Sequence, residues 1–447
     1  MSTVEIPDLT GKLLMPGTDG YEQARQPWLR NHDSKPVFIA EVQTTDDIQK
    51  VMRYAYDKDL PIAVQTTGHG AFKPIDGAVL IKTQAMRHLK VDPETRTATF
   101  GPGMMVGDLV VAASEYGLSP ITGDSPYVGA VGFTLGGGHG WLSRQFGFAA
   151  DSIVEAQLIT PSGDIVVTNE TEHTDLFWAL KGGSGNFGVV ASLTVRLHPV
   201  QKGLGGTVYF AAEHARELLE HYSVWARTLP SQYTAFLQAL SLPSIPQLPA
   251  SISGQRVIAL QLFFNDSAST ANDILQKFLD TLSCSPLENF VSEQAYADFL
   301  MSAPKLPPTA AVDTVGLQAE ITAEQILELA TYMRADESFM PIIQIRPWGG
   351  VLTKPKPHSL LQYAEVGYSI YAIASFQDDT SRKRTEESFE HLAHHIAHYA
   401  GNKRFINFTP DETAMEHAYS KEATQQLKVI KKKYDPKNLL SLGHTIE

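Results

Sequence analysis

The sequence predicts an α+β protein of two domains, and three observations support this prediction. The chain has 447 residues, of which 43% are hydrophobic, so it has enough apolar material for more than one core. Short apolar segments alternate with amphipathic helical patterns along most of its length. Glycine is dense up to about residue 200 and less frequent after it. We therefore predict a first domain over residues 1–200, completed by residues 405–447, and a second domain over residues 201–404.

The glycine-rich first domain shows clear helix and strand signals. Thr44 precedes acidic residues and an apolar pattern of helical spacing, which is typical of a capped helix N-terminus. Residues 61–65 have the apolar character of a strand, and residues 108–116 form a helical pattern that ends at a glycine. Two strand-like runs, Ile153–Thr160 and Asp164–Thr168, are separated by a Pro-Ser-Gly turn, which predicts a hairpin.

In the second domain the elements are longer. Residues 213–225 form a helical pattern, and residues 257–264 and 368–375 are rich in the apolar and aromatic residues of strands. The proline-rich residues 242–249 predict a surface connection. We therefore expect an antiparallel sheet that helices cover on one face.

Composition and charge exclude several classes of protein. The net charge of −13 is unfavourable for a nucleic-acid surface, which depends on clustered lysine and arginine. Cys284 is the single cysteine, so the chain has no internal disulfide and no zinc-binding cluster of thiolates. Acidic residues stand at the N-terminus where a signal peptide has basic ones, and no apolar run approaches the ~20 residues that span a bilayer. We expect a soluble, cytoplasmic protein without nucleic-acid or membrane partners, and its oligomeric state stays open.

Four glycine-rich stretches fall between residues 67 and 188. They are Thr67-Gly-His-Gly, Gly101-Pro-Gly, the run from Val128 to Gly140, and Gly182-Gly-Ser-Gly-Asn-Phe-Gly. A cluster of glycines marks positive φ angles or a close approach of the backbone to a ligand. One such stretch alone indicates a tight turn, but four in one region predict a binding site for a large ligand.

Two familiar nucleotide-binding motifs do not account for these glycines. Residues 183–188 fit the string GxGxxG, but the dinucleotide-binding fold needs a strand before the string and a helix after it. Here a helical pattern over residues 175–181 comes first, and a strand pattern over residues 189–197 follows. No glycine run ends in Gly-Lys-Ser or Gly-Lys-Thr, so a P-loop is excluded as well.

Five motifs occur in order along the chain. They are Gln65-Thr-Thr-Gly-His-Gly, Ser125-Pro-Tyr-Val-Gly-Ala-Val-Gly, Gly136-Gly-Gly-His-Gly-Trp-Leu, Phe177-Trp-Ala-Leu-Lys-Gly-Gly-Ser-Gly-Asn-Phe-Gly and Tyr434-Asp-Pro-Lys-Asn-Leu. In this order they resemble the berberine-bridge-enzyme branch of the vanillyl-alcohol-oxidase flavoproteins. The resemblance is dense over residues 35–200 and returns in the last part of the chain. It implies a two-lobed FAD-binding domain of the PCMH type, so that the first domain would hold FAD and the second would bind the substrate.

The resemblance also implies which residues contact the cofactor. In the family a histidine of the first motif is bonded covalently to the 8α-methyl group of FAD, and here that histidine is His69. A neutral imidazole is a competent nucleophile for such a bond. Many relatives have an arginine at the position of Gln65. The implied FAD contacts are His69, Gln65, Thr66, Thr67, Gly68, Gly70, Ser125, Val128, Gly129, Gly132, Gly136, Gly137, Gly138, Gly140, Leu142, Gly185, Gly188, Val190, Tyr434 and Asn438.

Two departures from the family pattern concern the cofactor. Relatives with two covalent bonds to FAD have a cysteine at the position of Ser125, and a hydroxyl does not readily replace a thiolate in forming that bond. We therefore expect one covalent link, through His69. In the tail, Tyr419-Ser-Lys-Glu-Ala and Gly443-His-Thr differ from the motifs of relatives, and a flavin-contacting asparagine is missing.

The activity that the resemblance implies is oxidation of a small organic substrate by hydride transfer to flavin N5. The substrate classes are sugars, alcohols, amines and secondary metabolites. In the family a small branched residue at the position of Val128 accompanies oxygen reactivity, so O2 is the expected electron acceptor. Two alternatives stay open: a dehydrogenase that uses another acceptor, and a flavin-loaded protein that binds a ligand without turnover.

Such an oxidation needs a proton acceptor near the donor carbon. The candidate catalytic residues are Tyr419, in the tail motif, and Tyr363, where relatives tend to have a histidine. For each of them a packed aromatic ring is an equally good interpretation. Four residues of the second domain are candidates for the substrate pocket: Gln261, Gln344, Arg346 and Trp348.

Histidines and lysines outside the motifs complete the list of candidates. One helix face carries His391, His394, His395 and His398. It lacks the interleaved glutamate of the HExxH zinc motif, so we predict a surface helix and no metal. His139 is expected near FAD without a chemical role, and residues 428–433 are expected to form a solvated helix end.

Overall fold

The structure is a computed structural model that describes residues 8–200, 202–334, 342–354, 356, 359–409 and 414–446. Apart from Asp8, the N-terminal stretch discussed above lies outside these residues. Three large sheets follow one another along the chain, and helices lie beside each of them. The architecture is α+β, as the sequence predicts. Within the described residues no helix combines the length and the apolar character needed to cross a bilayer.

The first sheet has four strands. In chain order its elements are β1 (Lys12–Leu14), α1 (Tyr21–Ala24), β2 (Phe38–Glu41), α2 (Thr45–Asp57), β3 (Ile62–Gln65) and β4 (Val79–Lys82). Strands β2, β4 and β3 are parallel neighbours, and β1 pairs antiparallel with β2. The predicted cap of α2 is present, because the Thr44 hydroxyl accepts a hydrogen bond from the Asp47 N–H and the Asp47 carboxylate accepts one from the Thr44 N–H.

The second sheet is antiparallel and has five strands. The elements of this part are β5 (Leu89–Asp92), β6 (Thr97–Phe100), α3 (Val106–Ser114), β7 (Leu118–Ser119), α4 (Ala130–Leu135), α5 (Ser143–Phe146), β8 (Ile153–Ile159), β9 (Ile165–Asn169), α6 (Thr174–Leu180), β10 (Val189–Arg196) and β11 (His198–Pro199). The strand order is β5-β6-β10-β8-β9, and β7 pairs with β11. The predicted hairpin is β8–β9. The order of α6 before β10 confirms that the GxGxxG string does not stand in a dinucleotide-binding βα turn.

The third sheet is antiparallel and has eight strands in the described residues. Its elements are β12 (Gly203–Ala211), α7 (Ala215–Thr228), β13 (Tyr233–Ser241), β14 (Arg256–Phe264), α8 (Ala268–Leu279), β15 (Glu288–Asn289), β16 (Ser292–Gln294), α9 (Tyr296–Met301), β17 (Ala310–Gln318), α10 (Ala323–Arg334), β18 (Ile342–Pro347), β19 (Tyr368–Phe376) and α11 (Asp379–Tyr399). The central order is β12-β14-β13-β18-β19-β17. Helices α7, α8, α10 and α11 share one apolar core with one face of the sheet, as the sequence predicts.

The opposite face of the third sheet packs against the glycine-rich part of the chain. Trp141 stacks on Phe236 of β13, with ring centroids 4.0 Å apart. The buried Arg144 donates hydrogen bonds to the main-chain carbonyls of Leu229 and Tyr233, at 2.7 and 3.0 Å. Aromatic stacking and a fully engaged guanidinium therefore hold the two parts together.

The C-terminal segment returns to the first two sheets through α12 (Ala414–Ala418) and α13 (Lys421–Tyr434). The Lys431 ammonium is buried and lies 2.7 Å from the Asp435 carboxylate. It also donates to the main-chain carbonyls of Asn186 and Leu440, at 3.0 Å each. The Leu439 carbonyl accepts a hydrogen bond from the N–H of Ile62 in β3. The tail is thereby fixed beside β3 and the loop before β10.

Candidate active site

A cavity of about 480 Å³ lies between the glycine-rich loops, the third sheet and the C-terminal tail. Most of the predicted cofactor contacts line it: Gln65, Thr66, Thr67, Gly68, His69, Gly70, Ser125, Val128, Gly129, Gly132, Gly136, Gly185, Gly188 and Val190. Strand β18 adds Arg346, and the tail adds Asn407, Phe408 and His444. The fold therefore brings the first four motifs to one place.

The other predicted contacts lie outside this lining: Gly137, Gly138, Gly140, Leu142, Tyr434 and Asn438. Gly137 and Gly138 have φ angles of +111° and +70°, which shape the turn after α4. Leu142 is buried in the core, and the Tyr434 hydroxyl donates to the Asp175 carboxylate at 3.2 Å. These six residues do not line the cavity, and their contacts with the cofactor stay predictions.

His69 lies in the loop after β3, with its ring against that of Trp28. The ring centroids are 4.2 Å apart and the planes differ by 11°. Its Nδ1 atom is 2.8 Å from Thr67 Oγ1, which is the one hydrogen bond of this ring within the described residues. Burial lowers the pKa of His69 to about 4, so the imidazole is neutral near pH 7, as a nucleophile must be.

Two glycines in the cavity wall leave space that a side chain would fill. A Cβ atom built on Gly132 or Gly185 would meet no atom within 4 Å, and both residues line the cavity. By contrast, a Cβ atom on Gly136 would lie 2.7 Å from the Asn407 amide nitrogen. At Gly132 and Gly185, therefore, no side chain separates the backbone from the cavity. This arrangement allows close approach of a phosphate-bearing ligand.

Buried polar atoms in the cavity wall lack protein partners. Gln65 Nε2 and both ring nitrogens of His139 make no hydrogen bond within the described parts of the chain. Such atoms are costly to bury unless a ligand or water satisfies them. Together with the bare glycine backbone and the neutral His69, they form a wall that fits FAD. Gln65, His69, His139 and the exposed glycine backbone would hold it.

His139 is enclosed by aromatic rings. It stacks on Trp348, with centroids 4.5 Å apart and planes 12° apart. Burial lowers the pKa of His139 well below its ordinary value, and the cations of Arg346 and Arg144 lower it further. The ring is therefore neutral, so it can donate one hydrogen bond and accept another, but it does not readily take up a second proton.

Asn407 is a cavity residue that belongs to none of the sequence motifs. Its Oδ1 atom accepts a hydrogen bond from the Gly138 N–H at 2.8 Å, and its amide donates to the Phe133 carbonyl at 3.0 Å. Asn407 thus joins the tail to the turn that follows α4. The tail also reaches the cavity at Gly443 and His444, although their motif departs from that of relatives.

Tyr363 and Tyr419, the predicted catalytic residues, do not line the cavity. The Tyr363 hydroxyl donates to the Arg404 carbonyl at 2.7 Å, and the Tyr419 hydroxyl donates to the Gly182 carbonyl at 2.6 Å. Burial raises the pKa of both phenols above their ordinary value. A hydroxyl that is engaged in this way and resists ionisation is a poor proton acceptor. The geometry therefore supports packed aromatic rings at both positions.

Polar side chains cover the cavity-facing side of the third sheet. Arg346 Nη2 lies 2.6 Å from Asp124 Oδ2, so the ion pair joins β18 to the loop before Ser125. The Arg346 guanidinium lies over the rings of Phe236 and Phe408, at 4.8 and 5.0 Å from their centroids. Of the predicted pocket residues, Arg346 lines the cavity.

The other three predicted pocket residues lie outside the lining of the cavity. Gln344 accepts a hydrogen bond from the Arg346 Nε–H. Gln261 accepts one from the amide of Gln238 at 3.3 Å. Trp348 is buried behind His139, and its indole N–H donates to a serine hydroxyl of β19 at 3.1 Å. Gln344 thus contacts Arg346 and Trp348 stacks on His139, and none of the three residues lines the cavity.

Asp313 and Tyr371 form a second pair on this side of the sheet. The Tyr371 hydroxyl donates to Asp313 Oδ2 at 2.9 Å. Burial raises the pKa of Asp313 to about 6. Neither residue lines the cavity, but the ring centroid of Tyr371 is 6.2 Å from that of the cavity residue Phe408. Burial raises the pKa of the Tyr371 phenol well above its ordinary value, so its hydroxyl is suited to relaying a proton and not to keeping a negative charge. A carboxyl group with a pKa near 6 is suited to proton transfer near neutral pH.

The histidine-bearing helix α11 does not assemble a metal site among the residues that the structure describes. His395 is buried and pairs with Glu328 of α10, whereas the other three predicted histidines are exposed. In the lysine-rich stretch, the prediction of a wholly solvated helix end is wrong at Lys431, which is buried.

Comparison with known proteins gives one matching family and several relatives. Residues 36–169 match the FAD binding domain family. The (R)-6-hydroxynicotine oxidase of Paenarthrobacter nicotinovorans is 34% identical over 206 residues, which cover 45% of this chain and 45% of that protein. The FAD-linked oxidoreductase azaL of Aspergillus niger is 29% identical over 230 residues, 49% of this chain and 48% of that one. The chain therefore matches about half the length of these curated relatives.

Solved structures share the fold over almost the whole chain. The 6-hydroxy-D-nicotine oxidase of Arthrobacter nicotinovorans has a TM-score of 0.86 at 21% identity and covers 100% of this chain and 99% of its own. The berberine-bridge-enzyme-like protein 1 of Physcomitrella patens, wild type, has a TM-score of 0.84 at 20% identity, covering 96% and 95%. The grass pollen allergen Phl p 4, described as having glucose dehydrogenase activity, has a TM-score of 0.83 at 18% identity, covering 97% and 96%.

The family match and the fold agree with the cavity described above. FAD is the ligand that the domain binds, and the glycine motifs that line the cavity lie in or close to the matched residues. The chain therefore contains an FAD binding domain, is a homologue of FAD-linked oxidoreductases and has the fold of the berberine-bridge-enzyme-like flavoproteins.

Proposed function

We propose that the chain is an FAD-dependent oxidase of a small organic substrate. It would remove a hydride from a carbon that bears a hydroxyl or amine group, in a sugar, an alcohol, an amine or a secondary metabolite. The observation that carries this proposal is the cavity, whose wall combines a neutral His69, bare glycine backbone and unpartnered polar atoms of Gln65 and His139. When bound, FAD would supply the acceptor for the hydride, and O2 would take up the electrons.

For His69 we propose the single covalent bond to the cofactor, formed through Nε2. In the tautomer that carries its proton on Nδ1, this nitrogen donates to Thr67 Oγ1, and the lone pair of Nε2 is free to react. The stacked Trp28 restricts rotation of the ring. Ser125 lines the cavity but has no thiol, so we expect no second bond.

For the proton that leaves the substrate hydroxyl or amine, we propose Asp313 as the acceptor, reached through Tyr371. The substrate O–H or N–H proton passes to the Tyr371 oxygen as the tyrosine proton passes to Asp313 Oδ2, so the carboxyl group ends protonated. The hydrogen bond of 2.9 Å and the raised pKa of Asp313 support this route. It replaces Tyr363 and Tyr419 as the proposed proton acceptor.

Arg346 is the proposed orienting group of the substrate pocket. Asp124 and Gln344 hold its guanidinium in place, and Phe408 covers one of its faces. The remaining N–H groups can donate to a substrate oxygen or nitrogen acceptor. Because Asp124 balances the charge of Arg346, the pocket suits a neutral hydroxyl compound better than a strong anion.

A dehydrogenase is the second candidate, because the same fold occurs in the pollen allergen with glucose dehydrogenase activity. The two functions differ in how the reduced flavin is reoxidised. The purified protein is mixed anaerobically with a panel of sugars, alcohols and amines, and flavin absorbance is followed. A substrate that bleaches the flavin identifies an oxidoreductase, and reoxidation by air within seconds supports the oxidase. Reoxidation over many minutes would support the dehydrogenase, and a spectral shift without bleaching across the panel would contradict both.

A further inference from the structure

The helix side of the third sheet carries a cluster of three different metal-binding groups. His214 immediately precedes α7, Glu217 lies in the first turn of α7, and Cys284 lies in the loop between α8 and β15. One ligand atom from each residue lies within 4.8 Å of the ligand atoms of the other two. All three side chains are partly buried. The cluster is separate from the candidate active site, which lies on the opposite side of the sheet.

Existing contacts hold the two segments of this cluster together. The Ser283 N–H donates a hydrogen bond to Glu217 Oε1, so the loop is fastened to α7 next to the cysteine. One turn further along α7, His221 Nδ1 lies 3.0 Å from Thr281 Oγ1. The loop therefore presents Cys284 to α7 from a fixed backbone.

The geometry of α7 explains why two of the ligands point the same way. Residues three apart in a helix share one face, and His214 and Glu217 have this spacing. His214 Nδ1 is 4.0 Å from Glu217 Oε2. In a tetrahedral zinc site with Zn–N, Zn–O and Zn–S bonds of about 2.0–2.3 Å, ligand atoms lie roughly 3.5 Å apart. Side-chain rotations that move each ligand atom by about 1 Å would therefore bring the three atoms to the separations found in a zinc site.

We propose that His214, Glu217 and Cys284 form a Zn²⁺ site, with water as the fourth ligand. Nitrogen, oxygen and sulfur donors together suit Zn²⁺, whereas Mg²⁺ and Ca²⁺ prefer oxygen alone. On binding, the Cys284 S–H bond breaks, the sulfur–zinc bond forms and the proton is released to solvent. One thiolate and one carboxylate then balance the two charges of the metal. The bound ion would clamp the loop between α8 and β15 onto α7.

The single cysteine of the chain makes the test specific. The full-length protein, reduced and stripped of metal with a chelator, is titrated with CoCl2, and the near-ultraviolet thiolate-to-cobalt charge-transfer band is recorded. Because Cys284 is the only thiol, this band can arise only at the proposed site. We expect the band in the natural protein, none in Cys284→Ser, and affinities at least about tenfold lower in His214→Gln and Glu217→Gln. His398→Gln, which changes an exposed histidine of α11, is the matched control and is expected to leave the titration unchanged.

A second measurement uses ZnCl2 alone. Saturating zinc is expected to protect Cys284 from a thiol-specific reagent and to raise the melting temperature of the natural protein but not of Cys284→Ser. Flavin content and circular dichroism of each variant show that it is folded. The absence of both the band and the protection would overturn the proposal. A band that His214→Gln and Glu217→Gln leave unchanged would overturn it equally, because the thiol would then bind metal without these two residues.

Discussion

Trp28 and His69 are stacked face to face, with their ring centroids 4.2 Å apart. Trp28 is itself fixed, because its main-chain N–H donates to the Thr67 carbonyl at 3.0 Å and its indole N–H donates to the Leu306 carbonyl at 3.3 Å. The indole therefore limits the movement of the His69 ring on one face, and the hydrogen bond with Thr67 Oγ1 holds the Nδ1 atom in place. This arrangement leaves one ring nitrogen of His69 available to the cavity.

Substitution His69→Ala is expected to abolish the covalent link to FAD and leave the fold intact. The denatured natural protein should have the mass of the chain plus one FAD, and the variant should have the mass of the chain alone. Trp28→Leu should retain the link but form it more slowly, because the imidazole ring would rotate more freely. Mass spectrometry of the intact chains measures both effects. A natural chain that carries no flavin after denaturation would contradict the role of His69.

Substitution Gly132→Val is expected to weaken FAD binding, since its side chain would enter the open space of the cavity. Overpacking of this kind costs about 1–3 kcal/mol, or about a 5- to 150-fold loss of affinity. The measurement is a flavin fluorescence titration in the His69→Ala background, where binding is reversible. Gly401→Val changes an exposed glycine with open surroundings and should leave the affinity unaltered. Equal affinities for both variants would show that Gly132 does not face the cofactor.

The Asp313–Tyr371 pair predicts a specific pH dependence. Burial raises the pKa of Asp313 to about 6, and a proton acceptor must be ionised to act. We therefore expect kcat/KM to rise with pH through about 6 and to level off above it. Asp313→Asn should lower kcat by about 10²- to 10⁴-fold and remove this rise, and Tyr371→Phe should lower kcat as well. A variant Asp313→Asn with natural kcat and an unchanged pH profile would rule out this proton acceptor.

The same raised pKa has a consequence for stability. Between the ordinary carboxyl pKa, near 3.8, and about 6, the folded state binds more protons at Asp313 than the unfolded state does. The contribution of this group to the free energy of unfolding therefore falls as pH rises through that range. Urea unfolding at pH 4.5 and 6.5 should show a smaller decrease in Asp313→Asn than in the natural chain. An identical decrease in both proteins would contradict the raised pKa.

The buried pair of Lys431 and Asp435 predicts a large loss of stability on substitution. Lys431→Met would leave the Asp435 carboxylate buried without its cation, which typically costs about 3–5 kcal/mol. Lys428→Met, which changes an exposed lysine on the same helix, should alter the free energy of unfolding by less than about 0.5 kcal/mol. Chemical denaturation of both variants measures the difference. Similar values for the two would show that the pair does not hold the tail.

Local signals in the sequence predict much of the fold. Helix α2 begins where Thr44 caps it, and its apolar side chains Ile48, Val51, Met52 and Ala55 are buried as their spacing predicts. The glycine motifs around the cavity are predicted as well. A site where a ligand approaches the backbone closely is rich in glycine, and this enrichment can be read from the sequence. These features depend on residues that are close together in the chain, so they can be predicted from a single sequence.

The residues opposite the glycine motifs could not be found in this way. Asp313 and Tyr371 are 58 positions apart, and only the pairing of β17 with β19 brings them together. Asn407 stands between the hydrophobic residues Ile406 and Phe408, and no local pattern shows that it reaches Gly138. The position of Tyr363 in the sequence makes it a catalytic candidate, whereas its burial and its carbonyl partner depend on the tertiary packing of the tail.

The hydrogen bonds of the C-terminal tail to Ile62 and Asn186 affect the order of events during synthesis. The residues that close the wall of the cavity at Gly443 and His444 leave the ribosome after the whole third sheet has been made. The wall of the cavity therefore stays incomplete until the last residues of the tail have been synthesised. A ribosome that stalls before α13 would release a chain whose cavity lacks the part of its wall formed by Gly443 and His444.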